Sequence, residues 1–337
     1  MNGIMKIGMS MNKSSIMTPV LVSVSLLFLL SGCASTEQAT TVKTTPNVKQ
    51  SLQIPGLKHC SNTKDNTLNI DPNTPLTVIV HGCFSSAGKF RALSEVYDLN
   101  DQQAICFEYD DRDSLETSSG ELVYALNQLS KYNPNQPLHV IGHSQGGLVA
   151  RRALTLDRED KQIIHSEQIK LTTVSSPFNG INASSHCGIT SLRILSLGIV
   201  DLICYAVTGE KYQQIPPNVD FMTTPGELSP SVSQHLIIKT DERNQCRRMS
   251  ENQRCLEDDY VFSLEEQSNT AVDAFSEVIP ITVEIGHVKI VGNEVFTPTT
   301  LINILKEQQL LLTKDGISDS EQARLIDDIY KNHQASQ

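Results

Sequence analysis

The chain carries no basic stripe: its 337 residues hold 27 Lys and Arg against 38 Asp and Glu, a formal net charge of −11, and the cations are scattered. That balance excludes nucleic acid as a partner, because phosphate binding draws on clustered Lys and Arg. No zinc or nucleotide motif is visible, so no cofactor or metal is expected. The acidic triplet Asp110, Asp111 and Asp113 offers hard oxygen ligands of the kind Ca²⁺ takes, but it reads more simply as a solvated loop. There is no internal repeat, and tryptophan is absent. Long apolar runs are lacking after the first thirty or so positions; the stretch from Ile189 to Val207 is broken by Arg193 and Asp201, which argues against a membrane span. What is present is a globular composition, 39% hydrophobic and 19% charged, enough for a sizeable core and incompatible with disorder throughout.

The one strongly apolar run is N-terminal. Lys6 and Lys13 precede Val20 to Leu30, a basic segment followed by an apolar core about half as long as a spanning helix requires. It reads as a signal peptide over residues 1–32. The run closes on Leu30-Ser31-Gly32-Cys33, which resembles the bacterial lipobox. That resemblance implies acylation of Cys33 and a membrane anchored through its lipid chains, whose buried methylenes supply the affinity. Ala34, where an Asp would retain such a protein at the inner membrane, implies by the same resemblance the outer membrane of a Gram-negative envelope. Residues 33–52, rich in Thr, Ser and Gln without apolar periodicity, read as the lipidated end and a flexible tether. The folded domain is expected over 53–337.

Within that domain short β-branched runs alternate with helical stretches. Strands are expected at Leu76–Val80, Ala104–Glu108, Leu138–Ile141, Lys170–Val174, His235–Lys239 and Ile281–Ile285. Helices are expected at about 86–98, 115–131, 145–157, 299–312 and 319–332, the last opened by the capping-box pattern Ser318 to Glu321. Strands alternating with helices imply an α/β fold, a mostly parallel central sheet covered on both faces.

The chemical signature stands at the third of these junctions, Gly142-His143-Ser144-Gln145-Gly146-Gly147, between an apolar strand and a helix. A strand-to-helix turn this tight tolerates no bulk beside it, and it holds the serine hydroxyl proud of the sheet at a helix start. A second piece, Val80-His81-Gly82-Cys83-Phe84, ends the first clear strand. Stabilising the oxyanion of acyl transfer takes two amides, one after the nucleophile and one from an earlier strand-end loop, and Gln145 and Cys83 are in position to supply them. With these residues in view, the chain resembles the α/β-hydrolase superfamily, and within it bacterial lipases and esterases with an H-G oxyanion loop and a G-H-S-x-G elbow. The resemblance spans roughly Thr74 to Leu312 and implies an α/β-hydrolase fold, Ser144 as nucleophile and hydrolysis of a carboxylic ester. Glu284-Ile-Gly-His-Val-Lys-Ile290 resembles the family's terminal histidine loop, which implies His287 as the base. His81 reads as a brace of its loop.

The third member of the triad is open among carboxylates. Asp259-Tyr260-Val261 has the family's form and is the first choice; Asp241, directly after the preceding strand, and Asp258 are alternatives. Between Asp241 and Asp259 lies an insertion, 242–258, bracketed by Cys246 and Cys255, whose pairing would pin it as a loop. Cys187 and Cys204 are expected to pair by proximity, while Cys60, Cys83 and Cys106 stay open. Residues 181–232 are expected to form a cap, mobile or fixed, over Ser144. The function expected is ester hydrolysis, of lipidic acyl esters in view of the anchor and the apolar insertion. Acyl transfer or thioester hydrolysis on the same triad, and a catalytically silent binding lipoprotein, are the alternatives.

Overall fold

The computed structural model describes residues 50–158, 168–188, 205, 208–293 and 296–335. The signal segment, Cys33, the tether before Gln50, Cys204 and most of the apolar stretch 189–207 lie outside these residues. Among the described residues there are eleven strands: β1 (Gln50–Leu52), β2 (Leu57–Lys58), β3 (Leu68–Ile70), β4 (Leu76–Val80), β5 (Gln103–Phe107), β6 (Leu138–His143), β7 (Ile169–Val174), β8 (Val232–Asp241), β9 (Cys246–Met249), β10 (Cys255–Asp258) and β11 (Val278–Glu284). Seven form the central sheet in the order β11-β8-β7-β6-β4-β5-β2, parallel throughout except for the antiparallel edge pair β2–β5. Helices cover both faces, including α1 (Arg91–Leu99), α2 (Leu115–Tyr132) and α3 (Gln145–Ala153). This is the α/β-hydrolase architecture, with the strand-to-helix elbow between β6 and α3.

The sheet divides the core in two, and strand alternation decides which residue serves which side. Val78, Val80 and Val140 pack with α2 and α3, whereas Ile79, Ile141, Leu236 and Ile238 pack with α1 and the helices Thr299–Glu307 and Asp319–Ala335. Strands buried on both faces favour apolar residues along their whole length, and β4 is buried at all five positions, four of them apolar and one Thr77. The expected helices are found, two of them with shorter ends: the one read as 145–157 stops at Ala153, and the one read as 299–312 stops at Glu307. The expected strand His235–Lys239 runs further, to Asp241, which matters for the triad.

Two disulfides are formed among the described residues. Cys246–Cys255 ties the β9–β10 hairpin as proximity suggested, and Cys60–Cys106 joins the chain before β3 to β5, the neighbour of the edge strand β2. Cys83 is a free thiol.

Candidate active site

Every residue of the site stands at or just beyond the carboxyl end of a parallel strand, where side chains of neighbouring strands can converge. Ser144 follows β6 with φ 56° and ψ −126°, a left-handed conformation that costs a non-glycine residue about 1–3 kcal/mol. Tight packing around the elbow holds it there. A side chain on Gly146 would collide with the carbonyls of Val80 and His81, and one on Gly142 with the backbone of Gly146 and Gly147. The Ser144 N–H donates to the Val174 carbonyl at 2.9 Å, anchoring the turn to β7. The N–H of Gln145, first in α3, is one of the donors that a helix start leaves without an intrahelical acceptor.

The oxyanion loop leaves β4 and comes against the elbow. A Cβ on Gly82 would lie 2.9 Å from Ser144 Cβ, so only glycine allows this approach. Phe84 N–H is taken by the Asp111 carboxylate, so this member of the acidic triplet braces the oxyanion loop, while Asp110 is exposed. His81 is a brace as well: its ring stacks on Tyr109 at 4.5 Å, and the Tyr109 hydroxyl donates to the His81 carbonyl at 2.8 Å. Gly82, Cys83, Ser144, His287 and Val288 line one cavity of about 290 Å³. A larger cavity of about 720 Å³ lies beside α2, lined by Glu108, Glu116 and Glu121, and holds neither a serine nor a histidine.

His287 follows β11, and its ring meets a carboxylate that sequence reasoning did not choose. Nδ1 lies 2.9 Å from Glu242 Oε1, with both side chains buried. Glu242 also accepts from the Ser175 hydroxyl at 2.7 Å, the Thr240 hydroxyl at 2.8 Å and the N–H groups of Val261 and Phe262. Burial by itself would raise its pKa, but the hydrogen bond and charge of His287, with the Ser175 and Phe262 bonds, outweigh that and hold the carboxyl below its usual range. Ser175 sits between the partners, 2.8 Å from His287 Nδ1, in a left-handed conformation of φ 49°.

The expectation of Asp259 as the acid is therefore corrected. Its carboxylate is fully buried, yet it accepts from the N–H groups of Val288 and Lys289 at 3.0 Å each and pairs with Arg247. Its carbonyl takes the His287 N–H at 3.0 Å. Asp259 thus holds the histidine loop by its backbone, and it sits so close that a Cβ on Gly286 would strike Oδ2. Asp241 fails for a different reason. Along β8 the even-numbered Leu236 and Ile238 face the same half of the core as Ile281 and Val283 of β11, and Thr240 and Glu242 continue that alternation. Asp241 falls on the other side and pairs with Arg243 at 2.8 Å. Asp258 ends β10 and is exposed. The signal that would have found Glu242 was this count of two from Leu236.

His143 is the remaining part of the frame. The same alternation turns it toward the histidine loop, and its Nε2–H donates to the His287 carbonyl at 3.0 Å. Burial, with the nearby His287, pushes its pKa down to about 3, so it stays a neutral donor. Behind the elbow, Lys211, a residue no motif singled out, is 3% exposed and reaches Cys83 and Gln145. Of the expected cap, residues 181–188, 205 and 208–232 are described, as short helical turns and loops up to the start of β8; most of the apolar part is outside the described residues.

The family model described as "Putative serine esterase (DUF676)" matches residues 71–206, less than half of the chain, and that span contains the oxyanion loop and the elbow but not His287. Among solved structures, the mature lipase BlEst2 of Bacillus licheniformis is 11% identical, with 76% of this chain and 97% of that one covered at a TM-score of 0.46. A thermostable carboxyl esterase of Bacillus coagulans is 11% identical, with 78% and 98% covered and a TM-score of 0.46. The lin2722 gene product of Listeria innocua is 15% identical, with 73% and 96% covered and a TM-score of 0.44. No curated protein matches the chain in sequence. At these values no residue role passes from those proteins to this chain, but in part of its length the chain is similar to a serine esterase family.

Proposed function

We propose that the protein is a serine-dependent carboxylic ester hydrolase whose triad is Ser144, His287 and Glu242. The observation that carries this reading is a serine held in a strained elbow beside a glycine loop, lining one cavity with a histidine whose far nitrogen is bonded to a buried carboxylate. In the reaction His287 Nε2 takes the Ser144 proton as Oγ attacks the ester carbonyl, and Glu242 stabilises the imidazolium through Nδ1. The carbonyl oxygen becomes an oxyanion that accepts from the N–H groups of Cys83 and Gln145. Collapse breaks the ester bond, His287 hands its proton to the departing alkoxide, and water repeats the sequence on the acyl-enzyme to release the acid.

The substrate we propose is a lipidic acyl ester, met at the membrane to which an acylated Cys33 would tether the domain. Exposed Phe84 beside the cavity and the apolar stretch 189–207 support it, whereas the cavity of about 290 Å³, near the lower bound of ~300 Å³ for small-molecule sites, favours an acyl part of modest size. The test is hydrolysis of p-nitrophenyl esters from acetyl to palmitoyl by the full chain, beside Ser144→Ala. The expected result is turnover strongest on medium chains, reduced by at least about 10³-fold in the variant. A Ser144→Ala protein with normal turnover would refute the mechanism. Incorporation of labelled palmitate that persists in Cys33→Ala would refute the anchor.

A further inference from the structure

Lys211 comes from the chain between β7 and β8, in the short turn Glu210–Gln213. The turn is docked on the loop before α2: the Glu210 N–H donates to the Arg112 carbonyl at 2.7 Å, and the Leu115 N–H donates to Gln214 Oε1 at 2.5 Å. The ammonium donates to three acceptors, Cys83 Sγ at 3.0 Å, Gln145 Oε1 at 2.6 Å and the Asp111 carbonyl. Gln145 Nε2 donates to that same carbonyl at 3.0 Å, and the Asp111 carboxylate takes the Phe84 N–H. Three N–H donors and three acceptors are what a protonated lysine requires when it is taken out of water. None of the three acceptors is a carboxylate, so these bonds leave its positive charge without a direct counter-ion. Burial, against the opposing effect of Lys211, pushes the Cys83 thiol up, so the sulfur meets the ammonium as a neutral acceptor.

The two side chains that Lys211 holds belong to the two residues read above as the oxyanion donors, Cys83 after Gly82 and Gln145 after Ser144. We propose that Lys211 is a positioning residue of the oxyanion site: it locks Cys83 and Gln145 so that their N–H groups converge on the acyl oxygen, and its buried charge favours the anion formed there. The inference rests on the ester-hydrolase reading above. Its physical basis is that oxyanion donors act by being fixed before charge develops, and that a cation in a poorly solvated place acts over several ångströms. Because Lys211 lies in the insertion while its targets lie in the sheet's loops, undocking of the Glu210–Gln213 turn withdraws the charge and frees both side chains. Catalytic competence is thereby coupled to the seating of the insertion.

The experiment compares the full chain with Lys211→Met, Lys211→Gln and Lys211→Arg on a short-chain p-nitrophenyl ester. Turnover is expressed per active site, counted by fluorophosphonate labelling carried to completion. Inhibition by a trifluoromethyl ketone, which forms a tetrahedral oxyanion on the serine, is measured alongside. The expected result for Lys211→Met and Lys211→Gln is a kcat lower by about 10–100-fold with KM within about threefold, and ketone affinity weakened by the same factor as kcat. Lys211→Arg, which keeps charge and donors, recovers part of both. A role in packing alone would lower the melting temperature and the number of titrated sites but leave per-site kcat and ketone affinity unchanged. Per-site kcat within twofold of the parent in Met and Gln variants would overturn the proposal, and if one of them yields no titrated sites the other decides. Absence of Ser144-dependent turnover in the parent chain would instead overturn the hydrolase reading itself, together with this one.

Discussion

Replacing Glu242 by Gln while replacing Asp259 by Asn in a second variant separates the carboxylate that touches the imidazole from the one that holds its loop. Glu242→Gln keeps the shape of a buried side chain but removes the charge 2.9 Å from His287 Nδ1. Unit charges about 4 Å apart interact by about 4 kcal/mol at an effective dielectric of ~20. At 1.36 kcal/mol per decade, losing that support for the imidazolium lowers kcat by about 10³-fold. The introduced amide can also donate to Nδ1 and select the wrong tautomer, taking the loss toward ~10⁴. KM should change little, since the interaction grows as the imidazolium forms. Asp259→Asn has a different signature. It leaves the ring's partner intact but breaks a buried pair with Arg247 and the acceptors of two loop amides, a loss of about 3–5 kcal/mol of stability. The assay is per-site kcat and KM on a p-nitrophenyl ester, with urea denaturation of both variants. A Glu242→Gln enzyme within tenfold of the parent, beside a stably folded Asp259→Asn enzyme without activity, would refute the assignment and restore Asp259 as the acid.

Stability should fall steeply on mild acidification. His139 and His143 are buried and neutral, each pushed down to about 3 by burial, so below the ordinary value near 6.5 the unfolded chain binds protons that the folded chain refuses. The support is complete above pH 6.5 and lost as pH drops toward 3, at up to about 1.4 kcal/mol per histidine per pH unit. Unfolding free energies from urea denaturation at pH 7 and pH 5 should therefore differ by about 2–4 kcal/mol, and equal values would contradict the burial of these rings. The depressed carboxyl of Glu242 adds a further loss only below about pH 4.3, where the unfolded glutamate takes up its proton. Removing the Cys60–Cys106 bridge by double alanine substitution opens a loop of 46 residues, for which the chain-entropy relation gives about 4 kcal/mol. Per-site kcat should not move, because neither cysteine lies in the cavity; a fall in per-site kcat without destabilisation would show that this bridge shapes the site.

The sequence by itself determined the fold class and the place of the elbow, and it pointed to the loop that carries His287. These follow from local rules: an apolar strand, glycines where backbones cross, and a nucleophile between strand and helix can be read in one short window. Ser144, His287, Gly82 and the Cys246–Cys255 hairpin were legible for that reason. Tertiary structure alone decided which carboxylate meets the His287 ring. Asp259 and Glu242 both reach the histidine loop, one bonding its amides and the other its ring, and motif form did not distinguish them. Between the neighbours Asp241 and Glu242 the deciding quantity was the face of β8 that each continues, set by where that strand ends and how it pairs with β11, since a shift of one residue reverses every side chain; Asp259 is placed instead by the hairpin that ends in β10. Lys211 was beyond reach for the same physical reason: its partners lie 128 and 66 residues away in sequence, and only the packing of the insertion against the ends of β4 and β6 brings them within a hydrogen bond.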